Sequence, residues 1–265
     1  MKNRYVLLSF DVEEFDMPLE FGHSITLTEQ LEVGKKGLDA ILPVLDQLDM
    51  SSTLFTTAFF ASTYPAAIRA LAQQHEIASH TYYHSWFTND HLLQSKETLE
   101  KIIGQPVYGL RMPRMKAIDM KLVAAAGYAY DSSIHPTWIP GKYNHLRSPR
   151  TISTLAGIER VPASVSPRLR IPLFWLSFKN FPYNWYKQLV IQTLKHDGYC
   201  CLYFHPWEFI DISPYGLPRY TRRIDGEALI ARLLQLINDL RPHGDFITLR
   251  DFLNEQKKGH KPQLA

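Results

Sequence analysis

Strand-like and helix-like segments alternate along this chain from Tyr5 onward, and that alternation restricts the fold more than any single motif does. Tyr5–Asp11 predicts a buried strand that ends in carboxylates. Leu38, Ile41, Leu42, Leu45 and Leu48 recur at helical spacing, with Pro43 expected to kink or interrupt that helix. Thr53–Phe60 predicts a second strand and Glu76–Ser79 a third, joined by a helix around Pro65–Gln74. Next come a helix over Asn89–Ile103, a strand over Val107–Arg111, a helix over Ala117–Ala126 stopped by Gly127, and a strand over Tyr128–Asp131. Residues 132–158 read as irregular and Ile171–Phe178 as a strand. A helix over Trp185–His196, a strand over Tyr199–His205 and an amphipathic helix over Glu227–Leu240 follow, and Phe246–Leu249 leads into a short last helix. This order predicts an α/β architecture with a parallel sheet. A chain of 265 residues, 45% hydrophobic, suits one α/β barrel. No repeat or linker interrupts it, so one domain is expected over 1–256, with a polar, frayed tail at 257–265.

Composition narrows the partners. The formal charge is +3 and Lys and Arg are scattered, with no basic stripe for nucleic acid. Cys200 and Cys201 are adjacent, which suits a buried strand and not a disulfide framework. No apolar run approaches the roughly 18 residues of a membrane span, and no h-region follows the first basic residues. A cytoplasmic location is the resulting expectation.

Chemistry gathers at the predicted strand ends. In Ser79-His80-Thr81-Tyr82-Tyr83-His84 two histidines stand four residues apart, which on a helical turn brings them to one face, about 5–6 Å apart at Cβ. With 11 histidines in the chain such a spacing also arises by chance, and core histidines are the simpler explanation of the pair alone. The acidic cluster Asp11-Val12-Glu13-Glu14 strengthens the metal reading, because two imidazoles and a carboxylate form a common hydrolase set. Asp11, His80, Arg111, Asp131 and His205 all fall at or just past the C-terminal end of a predicted strand, the rim where α/β barrels collect catalytic residues.

Five blocks in order carry a family resemblance over roughly residues 5–210: Phe10-Asp11-Val12-Glu13, His80-Thr81-Tyr82-Tyr83-His84, Arg111-Met112-Pro113, Tyr130-Asp131-Ser132-Ser133 and Phe204-His205-Pro206-Trp207-Glu208. The chain resembles the polysaccharide deacetylases of the NodB-homology type, carbohydrate esterase family 4. Its first and fifth blocks are similar to those of a branch associated with bacterial exopolysaccharide synthesis. The resemblance implies a distorted (β/α)7 TIM-like barrel, a bound divalent metal, and hydrolysis of an N-acetyl group from a sugar, so an N-acetylated glycan is the expected partner. Most members carry two adjacent aspartates in the first block. Here Val12 stands second and cannot bind metal, whereas Glu13 lies on the same strand face as Asp11. Glu13, His80 and His84 are therefore the expected ligands of one ion, zinc first.

Amide hydrolysis assigns the remaining roles. Asp11 is the expected base, Arg111 its partner, His205 the acid for the departing nitrogen, and Asp131 the group that holds the other ring nitrogen of His205. Trp86, Trp138, Trp175 and Trp207 offer flat faces to a sugar. Trp175, on a predicted strand, reads as core. Trp138, in the loop Pro136–Gly141, is the best candidate for substrate contact, followed by Trp207. His23, His135 and His145 receive no role. Two alternatives stay open: a metal-free hydrolase of cyclic amides similar to allantoinase, and an inactive glycan-binding member of the fold.

Overall fold

The computed structural model describes residues 3–47 and 50–259. Leu48 and the end of the expected tail, residues 260–265, lie outside them. The chain runs β1 (Tyr5–Val12), α1 (Met17–Glu20), α2 (Leu27–Gln47), β2 (Thr53–Thr56), α3 (Ala58–Thr63), α4 (Pro65–Leu71), β3 (Glu76–Ser79), α5 (Asp90–Ile103), β4 (Gly109–Leu110), α6 (Met120–Ala125) and β5 (Tyr130–Asp131). It continues through β6 (Trp138–Ile139), β7 (Tyr143–Asn144), β8 (Ser153–Leu155), β9 (Ile158–Arg160), α7 (Trp175–Asn180), α8 (Tyr183–Asp197), β10 (Tyr199–Phe204), α9 (Gly226–Leu240), β11 (Asp245–Phe246) and α10 (Leu249–Gly259).

Strands β10, β1, β2, β3, β4, β5 and β9 pair in that order, all parallel, which gives the curled sheet of a (β/α)7 barrel. Ser164 spans the seam between β9 and β10. Its N–H donates to the Cys201 carbonyl at 2.9 Å and its Oγ accepts the Cys201 N–H at 2.8 Å. Alternation along β1 divides the core in two. Val6, Leu8, Phe10 and Val12 face the surrounding helices, while Tyr5 and Leu7 face the barrel interior. Cys200 and Cys201 likewise face opposite ways. Leu249, Phe252 and Leu253 of α10 join the interior cluster, and Phe252 packs on Tyr5 and Tyr199 at the strand starts. That end of the barrel is closed, so the strand C-termini form the accessible end.

Three expectations are corrected. β2 stops at Thr56, because Thr57 accepts the Phe60 N–H on its Oγ1 and starts a helix where Thr53–Phe60 predicted strand. Ile171–Phe178 is not a strand: α7 begins at Trp175, and a short apolar run does not distinguish buried strand from buried helix. Residues 132–158 are not wholly irregular, since β6 and β7 form a hairpin and β8 pairs antiparallel with β9. Pro43 leaves α2 unbroken. The carbonyl it cannot bond belongs to exposed Asp39, where water can serve it.

Helix α2 supports the site through two bare positions. A Cβ on Gly34 would lie 2.5 Å from the Glu13 carbonyl oxygen, and one on Gly37 would lie 2.3 Å from the Pro206 carbonyl oxygen. Glycine costs a helix roughly 1 kcal/mol relative to alanine, yet here alanine has no room. Gly37→Ala is expected to destabilise the protein by about 1–3 kcal/mol despite its better helix propensity. Urea denaturation checks this, and a gain in stability would show that the contact yields easily.

Candidate active site

The strand ends deliver the side chains to one cleft of about 270 Å³, lined among others by Asp11, Glu13, His80, His84, His205 and Trp207. Asp11 closes the inward face of β1, and Glu13 follows just past the strand. His80 follows β3. The chain does not continue as a helical turn to His84, as the spacing suggested. Thr81 takes a left-handed conformation, φ 62°, its N–H donates to Ser79 Oγ and its hydroxyl to the Tyr83 carbonyl. This tight loop still brings the two imidazoles together, with ring centroids 5.5 Å apart.

Three lone-pair atoms converge. Glu13 Oε2 lies 3.0 Å from His80 Nε2 and 3.1 Å from His84 Nε2. The outer nitrogens are committed, with His80 Nδ1 on the Arg111 carbonyl at 2.8 Å and His84 Nδ1 on Asp16 Oδ1 at 2.8 Å. Glu13 Oε2 and His80 Nε2 are buried without a hydrogen-bond partner. Buried polar atoms are rarely left so, and a cation between them satisfies both. Imidazoles anchored by a carbonyl and a carboxylate, with Nε2 turned inward, match the outer shell of metal-binding histidines. The residues therefore fit a divalent ion, and a set of two nitrogens and one oxygen suits zinc among others.

Charge is organised around this trio. Burial favours neutral His84, but the Glu13 and Asp16 carboxylates outweigh it and hold its pKa up at about 9. Burial likewise opposes ionised Glu13, yet the imidazoles of His84, His205 and His80 beside it outweigh this and bring it well below the usual carboxylate range. Trp207 Nε1–H donates to Glu13 Oε1 at 3.1 Å, so this buried indole orients the carboxylate and is no platform for a sugar.

Arg111 occupies the barrel centre. Its Nη1 donates to Asp11 Oδ1 at 2.6 Å and Ser9 Oγ at 3.0 Å, its Nη2 to Ser132 Oγ at 3.0 Å, and its guanidinium lies 4.0 Å over the Phe55 ring. The other carboxylate oxygen, Asp11 Oδ2, stands 3.9 Å from His205 Nε2.

Asp131 is not the partner of His205. Its carboxylate accepts from the Ser133 N–H at 3.1 Å and hydroxyl, and from Arg160 Nε at 3.4 Å. Glu208 takes that place: its Oε1 lies 2.9 Å from His205 Nδ1 and 2.8 Å from the His205 N–H, and its Oε2 pairs with buried Lys179 at 3.1 Å. Burial opposes the charge on Glu208, but Lys179 and His205 outweigh it and hold the carboxyl below its usual range. Burial pushes His205 toward neutrality too, and the carboxylates of Glu13, Glu208 and Asp11 reverse that and raise its pKa. Trp138 is 59% exposed on the hairpin and does not line the cleft, whereas its neighbours Ile139, Pro140 and Tyr143 do. Trp175, read as core, lines the cleft edge-on to His205.

Sequence reasoning passed over Asp16, Lys179 and Glu208. Glu208 had a signal, since proline followed two residues later by an acid suits the start of a helical turn, with the acid reaching back to the preceding N–H. Asp16 and Lys179 act only through tertiary contacts.

Residues 2–131 match the family model for polysaccharide deacetylase. That segment belongs to the polysaccharide deacetylase family. No curated protein matches this chain. Its fold is similar to that of a Mycobacterium smegmatis protein assigned to the polysaccharide deacetylases, at 19% identity and TM-score 0.65, covering 100% of this chain and 94% of that one. It is also similar to an allantoinase, at 18% identity and TM-score 0.62 over 98% and 92% of the two chains. A family 4 pseudoenzyme from Bacillus anthracis shares the fold at 12% identity and TM-score 0.53, over 96% and 66%. Among the described residues no helix is long and apolar enough to cross a membrane.

Proposed function

We propose that this deacetylase-family chain is a metal-dependent hydrolase that removes N-acetyl groups from a sugar within a polysaccharide or glycan precursor. The observation that carries the reading is the placement of Asp11 and His205, 3.9 Å apart, in the cleft where the Glu13, His80 and His84 donors converge. A divalent ion held by those three would polarise the acetyl carbonyl and acidify a water. Asp11, fixed through one oxygen by Arg111, offers its other oxygen to take the proton of the attacking water. His205, its Nδ1 held by Glu208, presents Nε2 to protonate the departing nitrogen. Val12 speaks little for a decayed site, because it packs outward in the core while the Glu13 carboxylate, beside His80 and His84, would supply the ligand oxygen.

Two measurements test the reading. Equilibrium dialysis should give about one zinc per chain, abolished in the His80→Ala, His84→Ala double variant; full retention there removes the assignment. Because His84 is held at about 9, metal must displace its proton below that pH. Zinc affinity should therefore fall roughly tenfold per unit as pH drops below about 9. Activity is read on a panel of N-acetylated oligosaccharides, simple N-acetyl amides and allantoin, scored for acetate and ring opening. Acetate from the sugars is expected. Opening of allantoin without any acetate sinks the deacetylase reading and favours the cyclic-amide alternative.

A further inference from the structure

Beyond the catalytic cleft, the loop that carries His84 also builds a second concavity, lined by Tyr82, Tyr83, Trp86 and, from α5, His91, Gln94 and Glu97. Trp86 is 51% exposed and stacks nearly parallel on Tyr83, with centroids 4.8 Å apart at 18°. His91 meets its indole edge-on at 4.5 Å, and Phe59 backs Tyr83 at 5.1 Å. The indole is thus held rigid on one side and open on the other. Gln94 and Glu97, exposed and three residues apart, lie on one face of α5 beside it. A flat aromatic face bordered by an amide and a carboxylate suits a pyranose, whose C–H face packs on the ring while its hydroxyls bond the polar edge. An apolar protein partner would leave those two polar groups without matching donors or acceptors.

We propose that this concavity is a second carbohydrate-binding site, taking a pyranose unit of the same glycan whose acetamido group occupies the catalytic cleft. His84 and Tyr83 are consecutive, so one loop carries a wall of each site. The proposal rests on the glycan-directed reading above, and the site would grip a part of the substrate remote from the chemistry.

Calorimetric titration with short and long oligosaccharides, both N-acetylated and fully deacetylated, in the Asp11→Asn background is the test. Trp86→Ala should weaken binding of the long oligomers about tenfold, as truncation of an aromatic anchor does, with a loss that grows with oligomer length. Trp86→Phe should recover part of it, which separates stacking from folding. No loss, or an equal loss at every length, overturns the proposal. So does a changed sedimentation coefficient with unchanged glycan affinity, which would assign the patch to self-association. Binding of deacetylated oligomers needs no hydrolysis. Loss of that binding in Trp86→Ala, with no acetate released by the parent protein, would reject the deacetylase reading and keep this site. Acetate release with a length-independent KM would do the reverse.

Discussion

Asp11→Asn is expected to lower turnover on an N-acetylated oligosaccharide by about two to four orders of magnitude, the range for losing a general base. Metal content should stay near that of the parent. Asp11 lies on the same face as Glu13 but accepts from Arg111, which also bonds Ser9, at the barrel centre, outside the trio of candidate ligands. Asparagine keeps the shape and loses the basic oxygen. Turnover measured beside elemental analysis decides it, and metal lost in proportion to activity would make Asp11 a ligand instead of a base.

Glu208→Gln should have the second large effect. The acid must be protonated to act, so activity falls as pH rises through the pKa of His205. Glu208 raises that pKa by its hydrogen bond and its charge. Removing the charge lowers the pKa, and the alkaline limb of the kcat profile should move to lower pH, with kcat reduced about a hundredfold. Asp131→Asn should leave that limb in place, because Asp131 bonds Ser133 and Arg160. Glu208→Gln also strands Lys179, fully buried, without its counter-charge, at a cost of about 3–5 kcal/mol. Adding Lys179→Met should recover stability without restoring the limb. An alkaline limb moved by Asp131→Asn and not by Glu208→Gln would return the positioning role to Asp131.

How much of this was legible in the sequence depends on whether a feature is periodic or tertiary. The strands carrying Asp11, His80, Arg111, Asp131 and His205 followed from apolar runs ending in charge, and the structure brings those ends to one side of the barrel. The shared face of Asp11 and Glu13 followed from strand alternation alone. Misreadings cluster where one residue redirects the chain. Thr57 turned a strand into a helix by capping it, and Thr81 replaced a helical turn with a left-handed corner. The pairing of His205 with Asp131 rested on their common place at predicted strand ends and on the role the chemistry requires, neither of which carries angular information. Glu208 won because three residues of local turn suffice to reach the ring, and Lys179 stands just past a segment misread as strand.

The two glycines of α2 have a consequence for how this protein tolerates change. Their bare backbone is the surface on which the Glu13 and Pro206 carbonyls rest, one beside a metal-ligand candidate and the other beside the acid. A saturation scan of α2 should accordingly show tolerant exposed positions such as Glu32 and Lys36, broken by two near-invariant ones that never touch substrate. Drift in that helix would shift base-side and acid-side segments together, so compensation would arise in the segments following Glu13 and His205 sooner than in the helix itself.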